Sequence, residues 1–177
     1  MPPAADLLTL SRLGLAVVLP FALMRGGSLP AACWVLAAAS DYVDGPLARR
    51  TGTPSRHGPL LDNLADIAFV LGGLGTAAAL GLVPWLVPGA ILLAVVDYAR
   101  AAFEASRGMV PARLARNRVG HVAGVLNYAC LGVVCARLAW PGATPAIVLT
   151  AVELATIAVN VAAVVVRMVA RTGAART

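Results

Sequence analysis

Apolar residues do not alternate with polar ones along this chain; they come in long blocks separated by short polar segments. Six blocks read as helices that cross a bilayer: Leu7 to Met24, Pro30 to Ala48, Pro59 to Val83, Val87 to Ser106, Val119 to Ala136 and Pro145 to Val166. Each approaches or exceeds the roughly 20 mostly apolar residues that a crossing helix needs. Three blocks open on proline (Pro30, Pro59, Pro145), where a missing amide proton is harmless because first-turn donors have no helical partner. The first block has the length of a secretory leader, but no cleavage site follows it and further blocks do, so it reads as a span. No repeat, low-complexity tract or second domain interrupts the pattern. The expected architecture is all-α, a single domain over residues 1–177 built as an integral membrane bundle of six transmembrane helices.

Composition narrows the class. At 60% hydrophobic, 12% charged and mean hydropathy +0.84, the chain is too apolar for a water-soluble enzyme. With only 5% aromatic residues it also lacks the girdles of an outer-membrane barrel. All fourteen basic residues are arginine. Arg49, Arg50, Arg56, Arg107, Arg113, Arg116, Arg118, Arg167, Arg171 and Arg176 follow even-numbered spans, whereas Arg25 and Arg137 follow odd ones. The net charge of +6 is therefore a topology signal, not a nucleic-acid footprint, and it puts both termini in the cytosol of a cell whose inner membrane holds the chain. Trp34, Trp85 and Trp140 fall near the opposite span ends, as interfacial aromatics do. Cys33, Cys130 and Cys135 lie in apolar runs without zinc or disulfide spacing and read as small core residues.

The acidic residues are the chemical signal. Of eight, four (Asp41, Asp44, Asp62 and Asp66) fall on the cytosolic halves of the second and third spans. Each costs roughly 2.5–3.5 kcal/mol at a span centre and less near an end, so something must compensate them. Asp41 and Asp44 are spaced i,i+3 and Asp62 and Asp66 i,i+4, which puts each pair on one helix face. Gly45, Ala48 and Gly58 extend these faces with small residues that leave room for a ligand. Four carboxylates in one site repel by roughly 4 kcal/mol per close pair at an effective dielectric near 20. The nearest arginines in sequence, Arg49 and Arg50, sit at the helix end. An all-oxygen pocket of this kind suits a hard divalent cation, and magnesium usually shares such ligands with substrate phosphates. The competing account is that these are satisfied structural polar groups or a solvated helix end.

Read literally, the stretch is Asp41-Tyr-Val-Asp44-Gly45-Pro-Leu-Ala48-Arg49, eight residues, Gly58, three residues, Asp62, three residues, Asp66. It resembles the signature of the CDP-alcohol phosphotransferase (CDP-alcohol phosphatidyltransferase) family, D-x2-D-G-x2-A-R-x8-G-x3-D-x3-D, at every specified position. The segment Leu7-Leu-Thr9-Leu-Ser-Arg12-Leu is similar to that family's first-span entry, although the asparagine often found just before it is here Asp6. The resemblance implies a membrane enzyme that moves a phosphoalcohol group from a CDP-linked donor to an acceptor hydroxyl and releases CMP. It implies two divalent cations, Mg2+ or Mn2+, held by Asp41, Asp44, Asp62 and Asp66, with Asp66 also the catalytic base. Asp41, Gly45, Ala48 and Gly58 would form the nucleotide site, and Arg49 would contact nucleotide phosphate. The chemistry asks for such parts independently: displacement at a pyrophosphate needs charge neutralisation on the transferred and leaving groups and a positioned base.

Other signals carry less. Arg113, Arg116 and Arg118, with His121, open the fifth span; Arg116 and Arg118 are candidates for an acceptor phosphate, with topology or anionic-lipid contact the equal alternative. Arg100 and Glu104 are i,i+4 and read as a structural ion pair. Asp97 either joins that pair or approaches the active site. Glu153 has no partner nearby in sequence. Thr9 and Arg12 could reach the nucleotide, although a structural role is favoured. Gly72, Gly73, Gly75 and Ala77 offer a close-packing face, for a homodimer or for packing within the chain.

The expected function is phospholipid synthesis from CDP-diacylglycerol and a polar alcohol of the glycerol 3-phosphate or inositol phosphate type. Its partners are a CDP-linked lipid donor, the alcohol acceptor and membrane lipids, with no nucleic acid. The alternative is an intramembrane carboxylate-based cation or proton transporter, but that needs no arginine or glycine at fixed motif positions. A catalytically dead relative is disfavoured by four intact aspartates, and an intramembrane aspartyl protease would need only two.

Overall fold

A computed structural model describes the backbone at residues 4–51, 58–107 and 118–174, and within it the side chains of 11–40, 61–107 and 119–172. Six helices and no strand are present among the described residues: α1 (Ala4–Arg25), α2 (Leu29–Thr51), α3 (Gly58–Ala79), α4 (Leu86–Ser106), α5 (Arg118–Ala139) and α6 (Ala146–Ala174). The all-α expectation is borne out. Pro30 and Pro59 take the second position of their helices and Pro145 directly precedes α6, where no backbone donor is lost.

Two boundaries depart from the hydropathy blocks. The third block ran to Val83, but α3 stops at Ala79. Gly81 has φ +72°, its N–H reaches the Ala78 carbonyl at 3.0 Å, and the Leu82 N–H reaches the Ala77 carbonyl at 2.9 Å. This is a Schellman ending, which favours glycine because a side chain strains that backbone. The sixth block ended at Val166, but α6 continues to Ala174, so Arg167 and Arg171 belong to the helix and not to a trailing tail.

Three helices are long and apolar enough to cross a membrane among the described residues: Leu86–Ser106, Val119–Ala139 and Ala146–Thr172, with Leu29–Ser40 a shorter apolar stretch. Large apolar side chains face outward from them, Ile147 at 77% exposure and Leu154 at 63%. Such surface is costly in water and costs nothing against lipid. The protein is an integral membrane protein.

Contacts gather the chain into two compact units. The first holds α1, α2, α3 and α5 from Leu131 onward. Here α1 packs on both α2 and α3, burying Leu19, Leu23, Ala65, Phe69 and Leu74. Pro20 lies inside α1 and has no N–H for the carbonyl of Ala16; that carbonyl faces Gly72, 3.8 Å from where a Cβ would stand. A Cβ on Gly73 would lie 2.7 Å from Leu19 Cδ2 and 2.8 Å from Leu131 Cδ1. The face of Gly73 and the buried Ala77 is thus filled within the chain. Gly132 lies equally close to the indole of Trp34, at 2.7 Å for the same construction, so Trp34 packs against a neighbouring helix.

The second unit holds α4, α5 up to Cys130, and α6. Its α4 buries Val87, Ala90, Ile91, Ala94, Asp97 and Ala101, a stripe at helical spacing that packs on α6. Asn127 of α5 and Asn160 of α6, both buried, pair through their amides, with Asn160 Nδ2 donating to Asn127 Oδ1 at 2.6 Å and to the Thr156 carbonyl at 2.8 Å.

Candidate active site

The spacing of Asp62 and Asp66 predicts that both face one side of α3, and they do. Their carboxylates turn toward α1, which brings Arg12 against them. Arg12 Nη1 donates to Asp62 Oδ1 at 2.5 Å and to Asp66 Oδ1 at 3.0 Å. The arginine side chain is wholly buried, while the two carboxylates are 39% and 36% exposed. The site is therefore anchored from the protein side and open on its other flank. Behind it, Ala65 and Phe69 are completely buried and fix the rotation of α3.

Arg12 is the residue that sequence reasoning undervalued. Its acids lie 50 and 54 residues away, so no local pattern links them. The available signal was general: a charge inside an apolar helix needs an opposite charge, and the acids closest to the motif are those of α2 and α3. Arg12 relieves the repulsion between Asp62 and Asp66.

Other site residues divide by where they fall. Asp41, Asp44, Gly45, Ala48 and Arg49 lie on α2, and Gly58 opens α3; their side chains and surroundings are outside the described residues. Arg113 and Arg116 are outside them altogether, as is the side chain of Arg118, the first residue of α5. His121 is exposed. Among the described residues no group of three or more His, Cys, Asp or Glu side chains converges; Asp62 and Asp66 are the described half of the quartet. That half suits a metal in its donors, which are hard carboxylate oxygens, and in its geometry, since two of those oxygens already converge on one cationic nitrogen.

A second charged cluster joins α4 to α6 in the other unit. Asp97 accepts from Arg167 Nε at 2.5 Å and from Arg171 Nη1 at 2.6 Å. Arg167 Nη2 also donates to the Ala94 carbonyl at 3.0 Å. Arg171 Nε then lies 3.1 Å from Glu104 Oε2, and Arg100 Nε donates to Glu104 Oε1 at 2.8 Å, the ion pair expected from their spacing. Asp97 joins the Arg100–Glu104 network, the first of its two open readings, through Arg171. Arg167, counted from sequence as a cytosolic charge beyond the last span, is instead almost fully buried.

A family model for CDP-alcohol phosphatidyltransferases matches residues 3–169. The chain belongs to that family. No individual curated protein matches it significantly. As a CDP-alcohol phosphatidyltransferase it is a membrane-embedded transferase of phospholipid synthesis, using a CDP-linked donor and an alcohol acceptor. The matched stretch takes in Arg12, the four motif aspartates, and the Asp97–Arg167 pair.

Proposed function

We propose that this enzyme joins the phosphatidyl group of CDP-diacylglycerol to a polar alcohol, with glycerol 3-phosphate or an inositol phosphate as acceptor, and releases CMP. The observation that carries the reading is the convergence of Asp62 and Asp66 on one cationic point at an open flank of α3. Asp41, Asp44, Asp62 and Asp66 hold two divalent cations, Mg2+ or Mn2+, which when bound neutralise charge on the transferred and leaving phosphates. Asp66 takes the acceptor's hydroxyl proton on a carboxylate oxygen. The acceptor oxygen forms a bond to the phosphorus carrying the diacylglycerol group, and the bond from that phosphorus to the CMP oxygen breaks, so CMP leaves with the electron pair. Asp41, Gly45, Ala48 and Gly58 receive the nucleotide and Arg49 its phosphate. Arg116 and Arg118 receive the acceptor's phosphate, as planar arginine forks suit its oxygens. The site opens to the cytosol of the inner membrane, where both termini also lie.

The test is CMP release by purified protein in detergent with Mg2+ or Mn2+, CDP-diacylglycerol and a panel of alcohols. Metal-dependent release with a phosphorylated alcohol, lost in Asp66→Asn, supports the reading. Absence of CMP with every acceptor, or release that survives Asp66→Asn, refutes it.

A further inference from the structure

The contact between α1 and α3 contains more than charge balance. A divalent ion of magnesium size needs carboxylate oxygens at about 2.0–2.1 Å. Two of the oxygens it would take, Asp62 Oδ1 and Asp66 Oδ1, accept from the same Arg12 nitrogen at 2.5 and 3.0 Å. A divalent ion bound to both oxygens would share them with that nitrogen. Like charges brought onto the same two oxygens oppose each other from adjacent positions. Arg12 is wholly buried while both carboxylates are more than a third exposed, so solvent screens the opposition in part and does not remove it.

We propose that Arg12 is a positioning residue that competes with divalent ions for Asp62 and Asp66. It draws both carboxylates onto one nitrogen, offsets their mutual repulsion, and is the charge that an incoming ion must displace. The inference rests on the metal reading of the quartet. Its consequence is a site that holds ions weakly by itself and tightly only when the diphosphate of the donor adds further oxygens, so that metal loading and donor binding are coupled.

The experiment is a Mn2+ titration of the full-length protein in detergent, followed by loss of the free-ion electron paramagnetic resonance signal, for wild type, Arg12→Gln and Arg12→Lys. Thermal midpoints with and without saturating Mn2+ are measured beside it. Arg12→Gln, which removes the charge and keeps a donor, is expected to bind Mn2+ about tenfold more tightly than wild type. It melts lower without Mn2+ and recovers with it. Arg12→Lys keeps the charge without the fork and falls between the two, so it decides the matter even if Arg12→Gln does not accumulate. Equal or weaker Mn2+ affinity in both variants, or a melting deficit that Mn2+ leaves unchanged, overturns the proposal and assigns Arg12 a purely structural role. Those outcomes leave wild-type Mn2+ binding in place. A wild type with no saturable Mn2+ binding overturns the metal reading itself, and this proposal with it.

Discussion

Arg167 of α6 and Asp97 of α4 form an ion pair 70 residues apart in sequence, Nε to Oδ2 at 2.5 Å, with side-chain exposures of 3% and 8%. Taking two such charges out of water is expensive, and their attraction repays it only while the pair is intact. Asp97→Ala strands Arg167 and also removes a partner of Arg171, so it is expected to cost about 3–5 kcal/mol. Arg171→Met leaves Asp97 its bond to Arg167 and is expected to cost about 1 kcal/mol. Combining Asp97→Leu with Arg167→Met removes both buried charges and recovers much of the loss. Thermal midpoints of the four proteins in one detergent check the order.

Under the proposed mechanism, with Asp62 a metal ligand and Asp66 also the proton acceptor, the two described motif aspartates differ in what their loss does. Chelation with EDTA is expected to abolish CMP release, and added Mg2+ or Mn2+ to restore it. Asp62→Asn removes a metal ligand, so excess Mn2+ recovers part of its activity. Asp66→Asn removes the proton acceptor as well, and kcat stays down by about 10²–10⁴-fold at any metal concentration. Activity titrated against Mn2+ separates the two. Equal rescue of both would remove the distinct role given to Asp66.

What could be read from the sequence were features that repeat within one or two helical turns. The i,i+4 spacing of Asp62 and Asp66 put both on one face of α3, and the Arg100–Glu104 pair followed from the same rule. The face that Asp97 occupies could also be found, since it continues the stripe of Val87, Ala90 and Ala94. Its partners could not, because Arg167 and Arg171 lie 70 and 74 residues further on, where falling hydropathy marks the end of a span. The same blindness hid Arg12. Pairing across helices depends on which helices pack together, and the hydropathy of a helix whose outside is as apolar as its inside says nothing of that.

Glycines at helix crossings should not be interchangeable. At Gly132 a new Cβ would stand 2.7 Å from two ring atoms of Trp34, and at Gly73 2.7 Å from a methyl of Leu19 and 2.8 Å from one of Leu131. An indole moves only as a rigid plate, whereas a leucine methyl can rotate away. Gly132→Ala is therefore expected to destabilise by about 1–3 kcal/mol and Gly73→Ala by less. Thermal midpoints of the two variants test the ranking, and a more stable Gly132→Ala would mean that the indole has another place to go.

The arginine asymmetry makes a statement about sidedness that the native thiols leave easy to test. Cys33, Cys130 and Cys135 are buried, so a membrane-impermeant maleimide should leave the wild type nearly unlabelled. Ala143, in the loop before α6, and Thr172, near its end, are both exposed. If the arginine-rich ends face the cytosol, Ala143→Cys is labelled on intact cells while Thr172→Cys is labelled only after the membrane is opened. The same arginine rule, applied to Arg49, Arg50 and Arg56 in the sequence just before Asp62, expects that segment on the cytosolic side as well. Labelling of Thr172→Cys from outside would turn the carboxylates away from the compartment where a cytidine-linked donor is made. The phosphatidyl transfer proposed here would then have no donor.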